Sequence, residues 1–269
     1  MSVLLFEKRD RIAYLTLNRP EALNAINPDL HDQLCAAWEE VRDDDAIDVA
    51  IITGAGDEAF CAGADLKEFV PPLVGADPMT VRNLVPLGLG GLTRGMHRMA
   101  KPVIAAVNGW ALAGGFETAL AADIRIASEN AKFGSFEARR GFHHGDGGIP
   151  RLVNSCGLSF TMEMLLTAEP IDAARALQVN MVSRVVPHDQ LMAEAEAVAR
   201  QILRNDQQAV RSAKETILDM IGRPLDDQLR LEALNAYACM ADTARVQPLL
   251  DAFYAKSDKG RAGKNATSL

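Results

Sequence analysis

The chain has 269 residues, 48% of them hydrophobic and 24% charged, with a formal net charge of −8. That length can bury a large core, either as one α/β domain or as a domain with an appendage. The acidic balance argues against nucleic-acid or membrane-surface binding, which need a basic footprint, and no apolar run approaches transmembrane length. The start MSVLLFEKRDRIAYL lacks a charged segment followed by a long apolar run, so no signal peptide is expected. Cys35, Cys61, Cys156 and Cys239 are scattered without CxxC or Cys/His spacing. They are expected as free thiols in a reducing compartment, which points to the cytoplasm.

Two strands are predicted over 2–8 and 11–18, with a turn at Arg9-Asp10. Asn27-Pro28 marks a helix start, and Leu30, Leu34, Ala37, Trp38 and Val41 recur on one face until Asp43-Asp44-Asp45 ends it. Residues 48–53 read as a strand, and FCAGADLKEF joins it to a short helix beginning near Asp65. Residues 77–99 are mostly helical in pattern, but Pro86, Gly88, Gly90, Gly91 and Gly95 break it. This segment either shapes a pocket or is an irregular surface element.

The apolar run Pro102–Val107 ends at Asn108-Gly109, and Gly114-Gly115 opens a helix with Glu117 in its first turn. Strands follow at 123–127 and 131–133. Helices are expected at 149–155, 157–166, 172–178 and 188–204, with a last strand over 183–186. After about residue 205 the strand signal stops. Helices at 207–221, 224–240 and 242–256 and a polar tail from Ser257 read as a cap or an oligomerisation module. The expected domains are therefore a core over 1–204 and a helical region over 205–269.

Backbone N–H groups at a helix N-terminus are free to donate. Gly114 lies at one strand-to-helix junction, and Ala62-Gly63-Ala64-Asp65 forms another. If the two are neighbours, the Ala64 and Gly114 amides can hold one oxygen; otherwise the glycines serve only tight turns. Glu117, among apolar neighbours, suits acid–base work or simple helix-dipole stabilisation. Glu137 either joins it as a second, differently tuned carboxylate or pairs at the surface with Arg139 or Arg140. Cys61 is a weaker nucleophile candidate without an evident partner. No GxSxG elbow, Walker A loop or GxGxxG is present.

The segments NRPEALNAI, FCAGADLKEF, KPVIAAVNGWALAGGFETALAADIRIA and AKFGSFEARRG, in that order, resemble the enoyl-CoA hydratase/isomerase (crotonase) superfamily. The resemblance implies an α/β fold: a crotonase-like spiral of ββα repeats with a C-terminal helical trimerisation region. It implies an acyl-CoA thioester substrate, no metal or redox cofactor, and a homotrimer or dimer of trimers. By position, Ala64 and Gly114 match the oxyanion-hole donors. Ala22, Leu23, Ala62, Asp65, Leu66 and Lys67 match the CoA-binding part, and Phe253 and Lys256 match residues that complete it. Glu117 and Glu137 match the two glutamates of hydratases, which implies addition of water to a 2-enoyl-CoA. On that reading Glu117 is mainly the base toward water, and Glu137 delivers a proton to Cα.

Three departures stand out. Ala113 replaces a common glycine, a mild change, and Phe136 replaces a common proline. His143-His144-Gly145-Asp146 replaces an apolar residue, proline, glycine and a small residue. Asp146 would raise the pKa of Glu137 by repulsion, or pair with a histidine. With Trp110, these four are candidates for the substrate pocket. They keep open an enoyl- or dienoyl-CoA isomerase, and a noncatalytic acyl-CoA-binding protein is a third reading. Acyl-chain preference is expected to lie in residues 70–99.

Overall fold

The computed structural model describes residues 2–84 and 86–266, with side chains except at Leu84 and 256–266. The chain forms two compact units, Met1–Gln207 and Gln208–Leu269. In the first, strands β1 (Leu4–Arg9), β2 (Ile12–Leu17), β3 (Val49–Gly54), β5 (Val103–Val107), β7 (Ile124–Ser128) and β10 (Arg184–Val186) form one sheet in the order β1-β2-β3-β5-β7-β10. Strands β4 (Ala59–Cys61), β6 (Trp110–Leu112), β8 (Lys132–Gly134) and β9 (Ile171–Asp172) form a second, in chain order. All pairs are parallel except β1 with β2 and β8 with β9. From β3 to β8 the chain lays a strand in the first sheet, then one in the second, then runs through helix or turn before repeating; β9 and β10 close the two sheets in the reverse order. This is the spiral of ββα repeats that the resemblance implies.

The physical causes are local. Helix α1 (Pro28–Asp43) starts where Asn27 Oδ1 accepts from Leu30 N at 3.0 Å, and it buries Leu30, Leu34, Ala37, Trp38 and Val41, the predicted face. Every residue of β3 and β5 is buried, as parallel strands covered on both faces require. On one face Ile51, Ile104 and Ala106 pack with Leu191, Ala195 and Val198 of a later helix, Leu191–Leu203. The buried Asn108 ends β5 by bridging backbones: its Nδ2 donates to Gly56 O and Ala59 O, and its Oδ1 accepts from Gly54 N.

Several expectations change. Strands β4 and β6 fall in stretches read as linkers; at three residues each they are too short to show alternation. No helix begins at Asp65. A turn closes there instead, with Asp65 Oδ1 accepting from Lys67 N at 2.9 Å. Among the described residues of 77–99 only α2 (Pro78–Leu84) is helical, and Gly88, Gly90 and Gly91 adopt positive φ. Towards the C-terminus, helices Gln207–Met220, Leu225–Met240 and Thr243–Ala266 form as predicted, but the last runs on past Ser257, where a frayed tail was expected. Leu225, Leu229, Leu234, Tyr237, Phe253 and Tyr254 are exposed on the second unit. Among the described residues, no helix is long and apolar enough to cross a membrane.

Candidate active site

A cavity of about 420 Å³ opens in the first unit, walled by the Ala62–Val74 segment, Leu89, the residues that follow β6 (Leu112, Ala113, Gly114 and Glu117) and the 136–146 segment. Helix α3 (Gly114–Ala121) begins at one wall, with Ala113 as its N-cap. The two strand-to-helix junctions are neighbours here. A Cβ on Gly114 would lie 3.6 Å from Ala64 N. Gly63, at φ +90°, packs so closely that a Cβ there would meet Gly114 N at 2.9 Å, which explains the glycine. Neither the Ala64 nor the Gly114 N–H donates to any described residue. Both residues line the cavity, so two unpaired donors stand beside it. Ala113 is not a mild change, because its φ of 50° and ψ of −125° belong to glycine-favouring backbone.

Glu117 and Glu137 both line the cavity and both are buried. Glu117 stands in the first turn of α3, and its Oε1 accepts from Asp146 N at 2.7 Å and Gly148 N at 2.9 Å. Glu137 opens a 3-10 turn (Glu137–Arg140), and its Oε2 accepts from Ser135 Oγ at 3.0 Å. The alternative reading of Glu137, a surface ion pair with Arg139 or Arg140, does not form among the described residues: Arg139 reaches Glu169, and Arg140 donates to Phe136 O.

The HHGD segment supplies the unexpected part. His144 is buried between the glutamates, with Nδ1 2.8 Å from Glu137 Oε1 and 3.4 Å from Glu117 Oε2. Both carboxylates lie off the ideal axis of the ring N–H, and Nε2 has no hydrogen-bond partner among the described residues. Gly148 makes room for the imidazole, since a Cβ there would lie 2.8 Å from His144 Cγ. The Phe116 ring meets it edge-on at 6.0 Å. Burial disfavours the imidazolium, but the two carboxylates outweigh it and push the His144 pKa up to about 9. For Glu137 burial acts upward, yet the His144 contact and the Ser135 hydroxyl bring its carboxyl below the ordinary value. The expected rise from Asp146 is therefore not found.

Asp146 pairs with neither histidine. Its Oδ1 takes Leu89 N at 3.1 Å and Arg94 at 3.0 Å, and burial, then the charge of Glu117, raise its pKa. His143 and Gly145 line the cavity, with His143 Nδ1 2.8 Å from His144 O. Trp110 does not reach the cavity wall; its ring lies under Lys132 Nζ at 5.0 Å. Cys61 is fully buried, and that burial pushes its thiol up to about 12, which removes it as a nucleophile.

Ala62 and Leu66 line the cavity. Leu23 O accepts from Ala62 N at 3.0 Å, Ala22 ends a 3-10 turn (Pro20–Ala22), and Asp65 pairs with Arg19 at 3.1 Å. Lys67 is exposed. Phe253 is exposed on the second unit, and the Lys256 side chain lies outside the described residues. Ligand-type atoms of Glu117, Glu137 and His144 lie within 4.8 Å of one another. The 2.8 Å N–O approach is shorter than the roughly 3.3 Å ligand–ligand edge of a tetrahedral zinc site. A proton fits there better than a metal ion.

In the sequence His144 stands out only by its closeness to Glu137 and by its departure from the family pattern. Its role as the bridge between the glutamates had no local signal. Ser135, two residues before Glu137, went unnoticed.

Comparison with known proteins agrees with this geometry. The chain is 39% identical over 238 residues to a crotonyl-CoA hydratase of Syntrophomonas wolfei, covering 88% of this chain and 90% of the relative. It is 38% identical over 220 residues to an (E)-benzylidenesuccinyl-CoA hydratase of Thauera aromatica, covering 82% and 84%. The crystal structure of an enoyl-CoA hydratase from Bacillus anthracis superposes with a TM-score of 0.85 at 33% identity, covering 94% of this chain and 96% of that one. The enoyl-CoA hydratase/isomerase family model matches residues 7–260. With buried paired glutamates beside two free amides on this spiral, the chain belongs to the enoyl-CoA hydratase/isomerase family.

Proposed function

We propose that the chain is an enoyl-CoA hydratase, adding water across the 2,3 double bond of a 2-enoyl-CoA to give a 3-hydroxyacyl-CoA. The observation that carries this is the pair of buried glutamates facing the same cavity as two unpaired backbone donors. Ala64 and Gly114 N–H take the thioester oxygen as it gains enolate charge. Such donors are typically worth about 3–4 kcal/mol of barrier each. Glu117 and Glu137 hold the water. Glu117 removes its proton as oxygen bonds to Cβ, and Glu137 protonates Cα. The CoA moiety is assigned to Ala22, Leu23, Ala62, Asp65, Leu66 and Lys67, and the family resemblance adds Phe253 and Lys256 as CoA-binding positions.

The isomerase alternative drew on Asp146, whose carboxylate is engaged by Leu89 and Arg94. Hydration is therefore preferred. The exposed apolar side chains of the second unit suit assembly as a trimer or a dimer of trimers.

The test is incubation with a short 2-enoyl-CoA while following loss of the conjugated-thioester absorbance. Incorporation of labelled water oxygen at Cβ is expected. Double-bond migration without that label would replace this reading with isomerisation, and full activity in both Glu117→Gln and Glu137→Gln would refute the assigned roles.

A further inference from the structure

Hydration needs one proton for Cα and releases one from water. Two neighbouring carboxylates would hold such a proton between them, because like charges resist double ionisation. This chain places an imidazole there instead. Only Nδ1 of His144 meets the carboxylates, at 2.8 Å from Glu137 and 3.4 Å from Glu117. The ring is walled from the cavity by the glutamates it touches, since they line the cavity and it does not.

We propose that His144 is a positioning residue that stores the reaction's proton, handing it to Glu137 and recovering it from Glu117. The inference rests on the hydratase reading above. In the resting site both glutamates are ionised and His144 is an imidazolium. As water attacks, its oxygen bonds to Cβ and its O–H bond breaks toward Glu117. The π electrons move to the thioester as an enolate held by Ala64 and Gly114. The Nδ1–H bond breaks toward Glu137 Oε1, and Glu137 passes that proton to Cα as the enolate electrons form the C–H bond. Glu117 is left protonated and His144 neutral. Transfer from Glu117 to Nδ1 restores the resting charges, so protons and electrons balance over the cycle. The off-axis position of Nδ1 between two acceptors suits this, because a small ring rotation aligns it with either.

The charged surroundings favour the stored proton. Glu117 and Glu137 face the ring directly. Asp146 adds negative charge beside Glu117. Arg94 pairs with the Asp146 carboxylate, and Arg151 donates to Asp146 O and Thr93 O. These cations offset Asp146 without reaching His144.

The test uses histidine-15N-labelled full-length protein, with the His144 resonances assigned by their loss in His144→Gln. They are expected in imidazolium form at pH 7, titrating near 9, and a neutral ring at pH 7 overturns the proposal. If His144→Gln fails to fold, Glu137→Gln serves instead and should move one histidine titration downward. The second readout is the pH profile of kcat. The alkaline limb of the wild type is expected near 9. In His144→Gln it should move toward acid by at least one pH unit, with turnover persisting at pH 6, and an unmoved limb overturns the proposal. Uptake of one zinc ion per chain, lost in His144→Gln, would also overturn it by putting a cation in the proton's place. The NMR titration needs no substrate. A wild type inert toward every enoyl-CoA would therefore refute the hydratase reading separately.

Discussion

Glu117 stands in a regular helix, and backbone amides of Asp146 and Gly148 grip one of its oxygens. Glu137 stands in a short 3-10 turn, and side chains of His144 and Ser135 make its contacts. Backbone donors survive side-chain replacement at their positions by any residue but proline. Side-chain partners can be exchanged one residue at a time. The difference separates what the fold fixes, a base anchored beside the two free amides, from what the sequence can tune, the proton affinity of the second carboxylate.

The largest expected effect falls on both glutamates alike. Glu117→Gln and Glu137→Gln should each lower kcat by roughly 10²–10⁴-fold, measured by the enoyl-thioester assay. Equal losses would mean that both carboxylates act in the proton transfers despite their different anchoring. A small loss at Glu137 alone would break the comparison.

Gly148→Ala touches both sides at once. Its new Cβ would lie 2.8 Å from His144 Cγ, displacing the ring while the Gly148 N–H to Glu117 is chemically retained. A misplacement of this size should lower kcat by about 10²-fold, with the alkaline limb of the pH profile moved toward acid, as in His144→Gln. A normal pH profile would mean that the ring position does not govern Glu137.

A smaller effect is expected in stability against pH. The folded pKa of His144 lies above its ordinary value of 6.5. Its contribution is therefore full below about 6.5 and lost as pH rises through about 9. Denaturant midpoints should fall between pH 7 and 10 more in the wild type than in His144→Gln; parallel curves would sink this.

The smallest effect tests the anchored side. Ala113→Gly relieves a residue at φ 50° and ψ −125°. The strain released, less the added freedom of the unfolded chain, leaves a gain of about 1 kcal/mol, or about 2–4 °C in melting temperature. An unchanged or lower melting temperature would show that the junction carries no strain.

Legibility in the sequence followed the same division. Helix α3 and Glu117 were readable because a glycine pair and an apolar run are local signals. The face of α1 and its Asn27-Pro28 start were readable for the same reason. Strands β4 and β6 were not, because three residues cannot show a period and their pairing is set by distant strands. His144 was harder still. Its partners lie 27 and 7 residues away in the chain, and nothing in GFHHGDGG distinguishes the ring that turns inward from its neighbour. Asp146 drew attention as an acid, but its side chain turned out to brace the wall.

That brace links two parts of the site through one residue. The Asp146 amide holds the oxygen of Glu117, while its carboxylate holds Leu89 N and Arg94 in the glycine-rich wall. An acyl chain that strains this wall pulls on the peptide that aims the base. Poorly fitting substrates are therefore expected to bind adequately yet turn over slowly, so that chain-length discrimination shows in kcat more than in KM.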